Sequence, residues 1–163
     1  MDDESVEAHS HGPLGMFASP FGEMYRNLAA FARRRIRRPR QATPQEHHRV
    51  VTAFWSACET GDVNALISLL DPYAITLSDG GGKVRTALHP IRGADRTAHF
   101  MLGALSHQPA LEATLRSVNG KTGLVLRHAS VVSAVVSFQV RNEKITHVWV
   151  VLNPDKLRSW HHS

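Results

Sequence analysis

Eleven histidines, one cysteine, a run of arginines and the stretch Asp79-Gly80-Gly81-Gly82-Lys83 are where this 163-residue chain could do chemistry. The histidines do not form a metal site by spacing. His47 and His48 are adjacent, so on a helix they point about 100° apart and cannot chelate together. His9 and His11 fall in a polar tail, and His161 and His162 sit at the C-terminus. No HExxH or Cys/His ligand spacing occurs. The expectation is surface histidines, no metal and no cofactor. Cys58 lies in an apolar helical stripe, which argues for core packing over nucleophilic chemistry. A lone cysteine excludes an internal disulfide and fits a reducing cytoplasm.

Three glycines in a row cost folding entropy and add no packing, so a demanding geometry or a ligand must compensate. Their N–H groups with Lys83 could make an anion nest. The Walker spacing fails, however, and no helix follows to aim a dipole. A tight turn joining two strands is the structural alternative. Near the C-terminus, Pro154 ends a strand, while Asn153 or Asp155 can cap a terminal turn that includes Lys156. Acid–base chemistry in an apolar pocket would fall to Asp79, Asp95, His99 or His128. Asp95 stands in the first turn of a helix, where the helix dipole alone explains an acid. No acid–base pair has convincing spacing, so a binding protein rather than an enzyme is expected.

The net charge of +5 is a local matter. Residues 1–25 carry five acids and no Lys or Arg, and residues 26–40 carry seven arginines and no acid. Arg26, Arg33, Arg34, Arg35, Arg37, Arg38 and Arg40 could neutralise DNA phosphates without reading bases; a solvated linker is the alternative. No apolar run is long enough to cross a membrane, and the acidic opening lacks the apolar core of a signal peptide.

These elements need a frame. Residues 1–19 read as a disordered tail, 20–42 as a basic amphipathic helix and linker ended by Pro39, and 43–163 as the folded domain. Thr43, Pro44 and Glu46 form an N-cap, a first helical residue and a capping-box acid. The helix they start puts Val50, Val51, Phe54, Trp55 and Cys58 on one face and ends at Gly61. Asp62 caps a second short helix, "VNALISLL". "YAITL" reads as a strand with "VRTAL" as its partner, and "ADRTAHFMLGAL" as a third helix. "LEATLRS", "GLVLRH", "VVSAVVSFQV" and "ITHVWVV" are strands, with Asn119-Gly120 and "RNEK" as hairpin turns. Helices followed by a run of strands predict an α+β fold, a curved antiparallel sheet wrapped around the first helix.

The order of elements and the stretch "FWSACETGDVNALISLLDP" resemble the SnoaL-like branch of the nuclear transport factor two-like superfamily, whose fold is a cone. "LSDGGGKV", "HPIRGADRTAHFMLG" and "VNGKTGLVL…ITHVWVVLNPDKL" narrow the match to the C-terminal extension of extracytoplasmic-function sigma factors, over roughly residues 46–158. "MYRNLAAFARRRI" resembles the recognition helix of that family's helix-turn-helix, with the rest of that domain and the polymerase-binding domain missing on the N-terminal side. A lone helix cannot hold such a motif's geometry. Thr122, where the family commonly carries proline, departs from the pattern at what reads as a turn.

The resemblance implies regulation of transcription initiation in the cytoplasm, by contact with RNA polymerase or sigma-factor domains. Asp79, Gly80, Gly81, Gly82, Lys83, Asn153, Pro154, Asp155 and Lys156 would form the partner surface. The basic helix would add non-specific DNA contact, and the cone could hold a small apolar ligand. A carrier, or an isomerase- or hydrolase-type enzyme of the same fold, is the alternative.

Overall fold

The computed structural model describes residues 40–161. The expected tail and basic helix, with Arg26, Arg33, Arg34, Arg35 and Arg37 expected to contact phosphates, lie outside the described residues.

Helix α1 (Pro44–Thr60) starts with the complete capping box: the Thr43 side chain accepts from the Glu46 N–H, and the Glu46 carboxylate accepts from the Thr43 N–H. Arg40 Nη2 also reaches Glu46 Oε1 at 2.7 Å, and this hydrogen bond holds the Glu46 carboxyl below its ordinary value. Helix α2 (Val63–Leu69) follows at once, capped by Asp62. The chain then forms β1 (Leu70–Asp79), a two-residue β2 (Ile91–Arg92) and α3 (Ala94–Ser106). Strands β3 (Leu111–Val118), β4 (Lys121–His128), β5 (Val131–Arg141) and β6 (Lys144–Val151) complete the sheet. A short helix α4 (Pro154–Leu157) and a 3-10 turn end the description.

The six strands lie in the order β2-β1-β6-β5-β4-β3. Every pairing is antiparallel except β1 with β6, which run parallel. Three two-residue hairpin turns join β3 to β6, each with both central residues at positive φ: Asn119-Gly120, Ala129-Ser130 and Asn142-Glu143. Such turns match the twist of the strands they join. Ala129-Ser130 carries none of the usual turn signal.

One face of the sheet packs on the helices. Val51, Phe54 and Leu66 from α1 and α2 and Ala98 and Met101 from α3 meet Leu124, Val136, Phe138, Ile145 and Val148. At the centre, the rings of Phe54 and Phe138 meet edge to face with centroids 5.2 Å apart. The other face buries Val125, Val135, Trp149 and Val151, and α4 brings Leu157 into the core beside β5. Cys58 is buried as expected, and desolvation pushes its thiol up to about 12.

Two expectations are overturned. "VRTAL" is not a strand: residues 84–88 are irregular, and the glycine stretch joins no hairpin. β6 takes one flank of β1 along Ile75–Asp79, and Ile91–Arg92 takes the other only at Ile75 and Thr76. The long apolar β6 is the stronger partner, because main-chain bonds and burial on both faces reward it together.

Nor are all the histidines on the surface. His47 is 3% exposed, and its Nε2–H donates to the Thr122 carbonyl oxygen at 2.8 Å. His48 Nδ1 meets the Thr122 hydroxyl at 3.0 Å. The adjacent rings thus converge on two oxygens of one residue, tying α1 to the β3–β4 hairpin. Thr122 is a β4 residue opposite Ser117, outside the turn. A proline there would keep the carbonyl for His47 but offer no hydroxyl to His48.

Burial holds the His47 imidazole below its ordinary value, with Lys121 and His48 adding to the effect. Above the unfolded value of about 6.5 both states are neutral at this site and no stability depends on it. As pH falls below that value the unfolded chain takes the proton first, so stability drops until the folded pKa is passed. Thermal melts of wild type and His47→Gln should therefore differ most near neutrality and converge towards pH 5. Parallel curves would remove the buried imidazole as the cause.

Candidate interaction surface at the glycine loop

The parallel alignment of β1 and β6 sends both strands out of the same end of the sheet, with Asp79 beside Val151. Whatever follows each strand must therefore meet. Two consecutive N–H groups, of Leu152 and Asn153, donate to the Asp79 carbonyl oxygen at 2.7 and 3.0 Å. The nine residues singled out from Asp79–Lys83 and Asn153–Lys156 are thus in one cluster.

Their charges are crossed. Lys156 Nζ reaches Asp79 Oδ2 at 2.7 Å, and Lys83 Nζ reaches Asp155 Oδ2 at 2.6 Å. Arg158 adds a contact to Asp155 Oδ1 at 3.0 Å. The Lys83 hydrogen bond, more than its charge alone, holds the Asp155 carboxyl below its ordinary value. Each pair joins the loop after β1 to the turn after β6. Both are solvent-exposed, so screening keeps their individual worth small; together they fix the two segments in register.

Each glycine answers a separate demand. A Cβ on Gly80 would stand 2.1 Å from the Val84 carbonyl oxygen, because the chain folds back so that the Lys83 and Val84 N–H groups donate to the Gly80 carbonyl. Gly81 has φ +61°, and a Cβ there would lie 2.3 Å from the Asn153 side chain. Its N–H donates to Asp79 Oδ1 at 2.9 Å. Gly82 has φ +71° with open space around it. Asn153 cannot easily withdraw, since its Oδ1 accepts the Asp155 N–H at 3.1 Å and so caps α4. Pro154 occupies the first helical position.

The residues proposed for acid–base chemistry do not converge. Asp95 and His99 are exposed on α3 and face each other at 3.5 Å, His128 is exposed at the end of β4, and Asp79 is held by Lys156. A polar pair that is buried among the described residues is instead Thr76 and Thr97, whose hydroxyls meet at 3.2 Å. Sequence reading missed both, as threonines in a strand and a helix carry no distinguishing signal. Among the described residues no group of three or more His, Cys, Asp or Glu could hold a metal. None of their helices is long and apolar enough to cross a membrane.

Helices packed on one face of a curved six-stranded sheet define the SnoaL-like, nuclear transport factor two-like cone. A designed protein with a curved β-sheet shares this fold, with a TM-score of 0.53, 14% identity and coverage of 74% of this chain and 95% of that one. More particularly, the chain is a homologue of extracytoplasmic-function sigma factors. The ECF RNA polymerase sigma factor SigJ of Mycobacterium tuberculosis is 30% identical over 164 residues, covering 86% of this chain and 53% of that protein. A crystal structure of that factor superimposes with a TM-score of 0.58 at 28% identity, over 83% of this chain and 50% of that one. A probable sigma factor of the same organism, SigI, is 33% identical over 135 residues, 81% of this chain and 44% of its own length. The chain therefore spans about half the length of the curated relatives it matches. No family model matches it.

Proposed function

We propose that this chain is the regulatory SnoaL-like module of a sigma-factor-like protein, adjusting transcription initiation by docking on RNA polymerase or on sigma-factor domains. The observation that carries the reading is the homology to two sigma factors over 86% and 81% of the chain. The docking surface is the cluster built from Asp79–Lys83 and Asn153–Lys156. The work is binding, not catalysis: Phe54 and Phe138 fill the centre of the cone, and the ionisable residues considered for catalysis sit outside it. The arginine run contributes sequence-independent DNA contact through Arg26, Arg33, Arg34, Arg35 and Arg37.

The crossed ion pairs supply a sharp test. Lys83→Glu with Asp155→Lys keeps the internal pair with its charges exchanged, while the charges presented to a partner invert. The double variant should melt within a few degrees of wild type yet lose retention on immobilised RNA polymerase core enzyme or purified sigma-factor domains. Unchanged retention removes the cluster as the docking surface. Wild type that binds none of these components overturns the regulatory reading.

A further inference from the structure

At the opposite margin of the sheet, β3 is an edge strand, and among the described residues no strand pairs with its outer side. Exposed edges are usually blunted by charged side chains, above all lysine, by proline, by bulges or by shortness. β3 has two charges, Glu112 and Arg116, of opposite sign, and none of the other devices. It is eight residues long, Leu111–Val118, with no proline, glycine or lysine. Its pairing with β4 runs through eight consecutive partners without a register shift, whereas the β1–β6, β4–β5 and β5–β6 ladders each carry one. The edge is regular and straight in register, a template for another strand.

The sequence of that edge is complementary to itself. Residues alternate between a helix-side row, Leu111, Ala113 and Leu115, which is half-buried, and an opposite row, Glu112, Thr114 and Arg116, which is exposed. Consider two copies of β3 laid antiparallel about a two-fold axis through Thr114. Glu112 of each then stands opposite Arg116 of the other, Thr114 opposite Thr114, and Ala113 opposite Leu115. Opposite charges and threonine pairs directly across a ladder are favourable, and like charges are unfavourable. Neither Glu112 nor Arg116 has an ion-pair partner among the described residues. On the helix side Leu115 of each copy meets Ala113 of the other, while Leu111 meets Ser117. A shift by one residue would bring the apolar row against the charged one.

We infer that this edge pairs with a second copy of the chain, making one continuous sheet across a two-fold dimer. Such an interface is isologous, so a single substitution acts twice. Glu112→Arg sets arginine against Arg116 at both ends, and Arg116→Glu sets glutamate against Glu112. The test is analytical ultracentrifugation of the full 163-residue chain across a concentration series. Wild type should sediment as a dimer, each single variant should raise the dimer dissociation constant by roughly tenfold or more, and Glu112→Arg with Arg116→Glu should restore it. All three variants change exposed side chains, and Glu112→Arg also sets arginine opposite Arg127 across the β3–β4 ladder. Melts are therefore compared well below the dimer dissociation constant, where dimer loss cannot contribute, and each variant should stay within a few degrees of wild type. A wild type that stays monomeric at the top of the series overturns the inference. A dimer indifferent to both single variants also overturns it, because the contact then lies elsewhere.

Discussion

Phe54→Ala is expected to cost about 3–5 kcal/mol, the range for truncating a fully buried aromatic ring. Phe54 is 0% exposed and meets Phe138 edge to face, so the substitution removes a large apolar surface and a directional ring contact together. The cavity would open where α1 crosses the sheet, among Val51, Leu66, Val136 and Val148, which are branched side chains fixed on regular elements. Little collapse can follow. In a domain of this size the melting temperature should fall by roughly 10–20 °C. Phe54→Leu keeps most of the volume and should lose well under half as much. Equal losses for the two variants would mean that the ring contact, not the filled space, carries the stability.

The second large effect belongs to Gly81. An alanine there suffers twice: a left-handed backbone costs roughly 1–2 kcal/mol, and overpacking against Asn153 adds about 1–3 kcal/mol. Gly82→Ala meets only the backbone penalty, because no atom lies within 4 Å of its Cβ. Equilibrium unfolding should therefore rank Gly81→Ala well below Gly82→Ala, although the residues are neighbours with the same chemistry. Adding Asn153→Ala should relieve part of the Gly81→Ala loss, a coupling between residues in contact. Additive losses would show that the Asn153 side chain swings aside freely.

The first two helices were legible because they announce their ends locally: Thr43-Pro44-Glu46 and Gly61 frame α1, and Asp62 opens α2. The strands from Leu111 onward read clearly for the same reason, since alternation and the Asn119-Gly120 turn lie within a few residues of one another. What stayed hidden was non-local. The sequence between Asp79 and Ile91 does not say that β1 turns away from "VRTAL", because the competitor, β6, lies some seventy residues further on. His47 looked like its neighbour His48; Thr122 from β4 meets both rings, and only packing against the distant hairpin leaves the one buried and the other exposed. In the same way, the two charged segments were recognised one by one and through a resemblance. The crossed pairing of Lys83 with Asp155 and of Lys156 with Asp79 follows from the parallel exit of β1 and β6.

The strand order has a last consequence. β1, which carries the glycine cluster, and β3 are separated by four inter-strand steps, about 19 Å measured along the sheet at the usual spacing. An assembly joined at the β3 margins would hold two clusters towards its far ends. The clusters would then lie nine inter-strand steps apart, about 43 Å measured along the joined sheet. A target offering two copies of the complementary patch at that distance would be gripped bivalently, and avidity would depend on distance as much as on the strength of either contact.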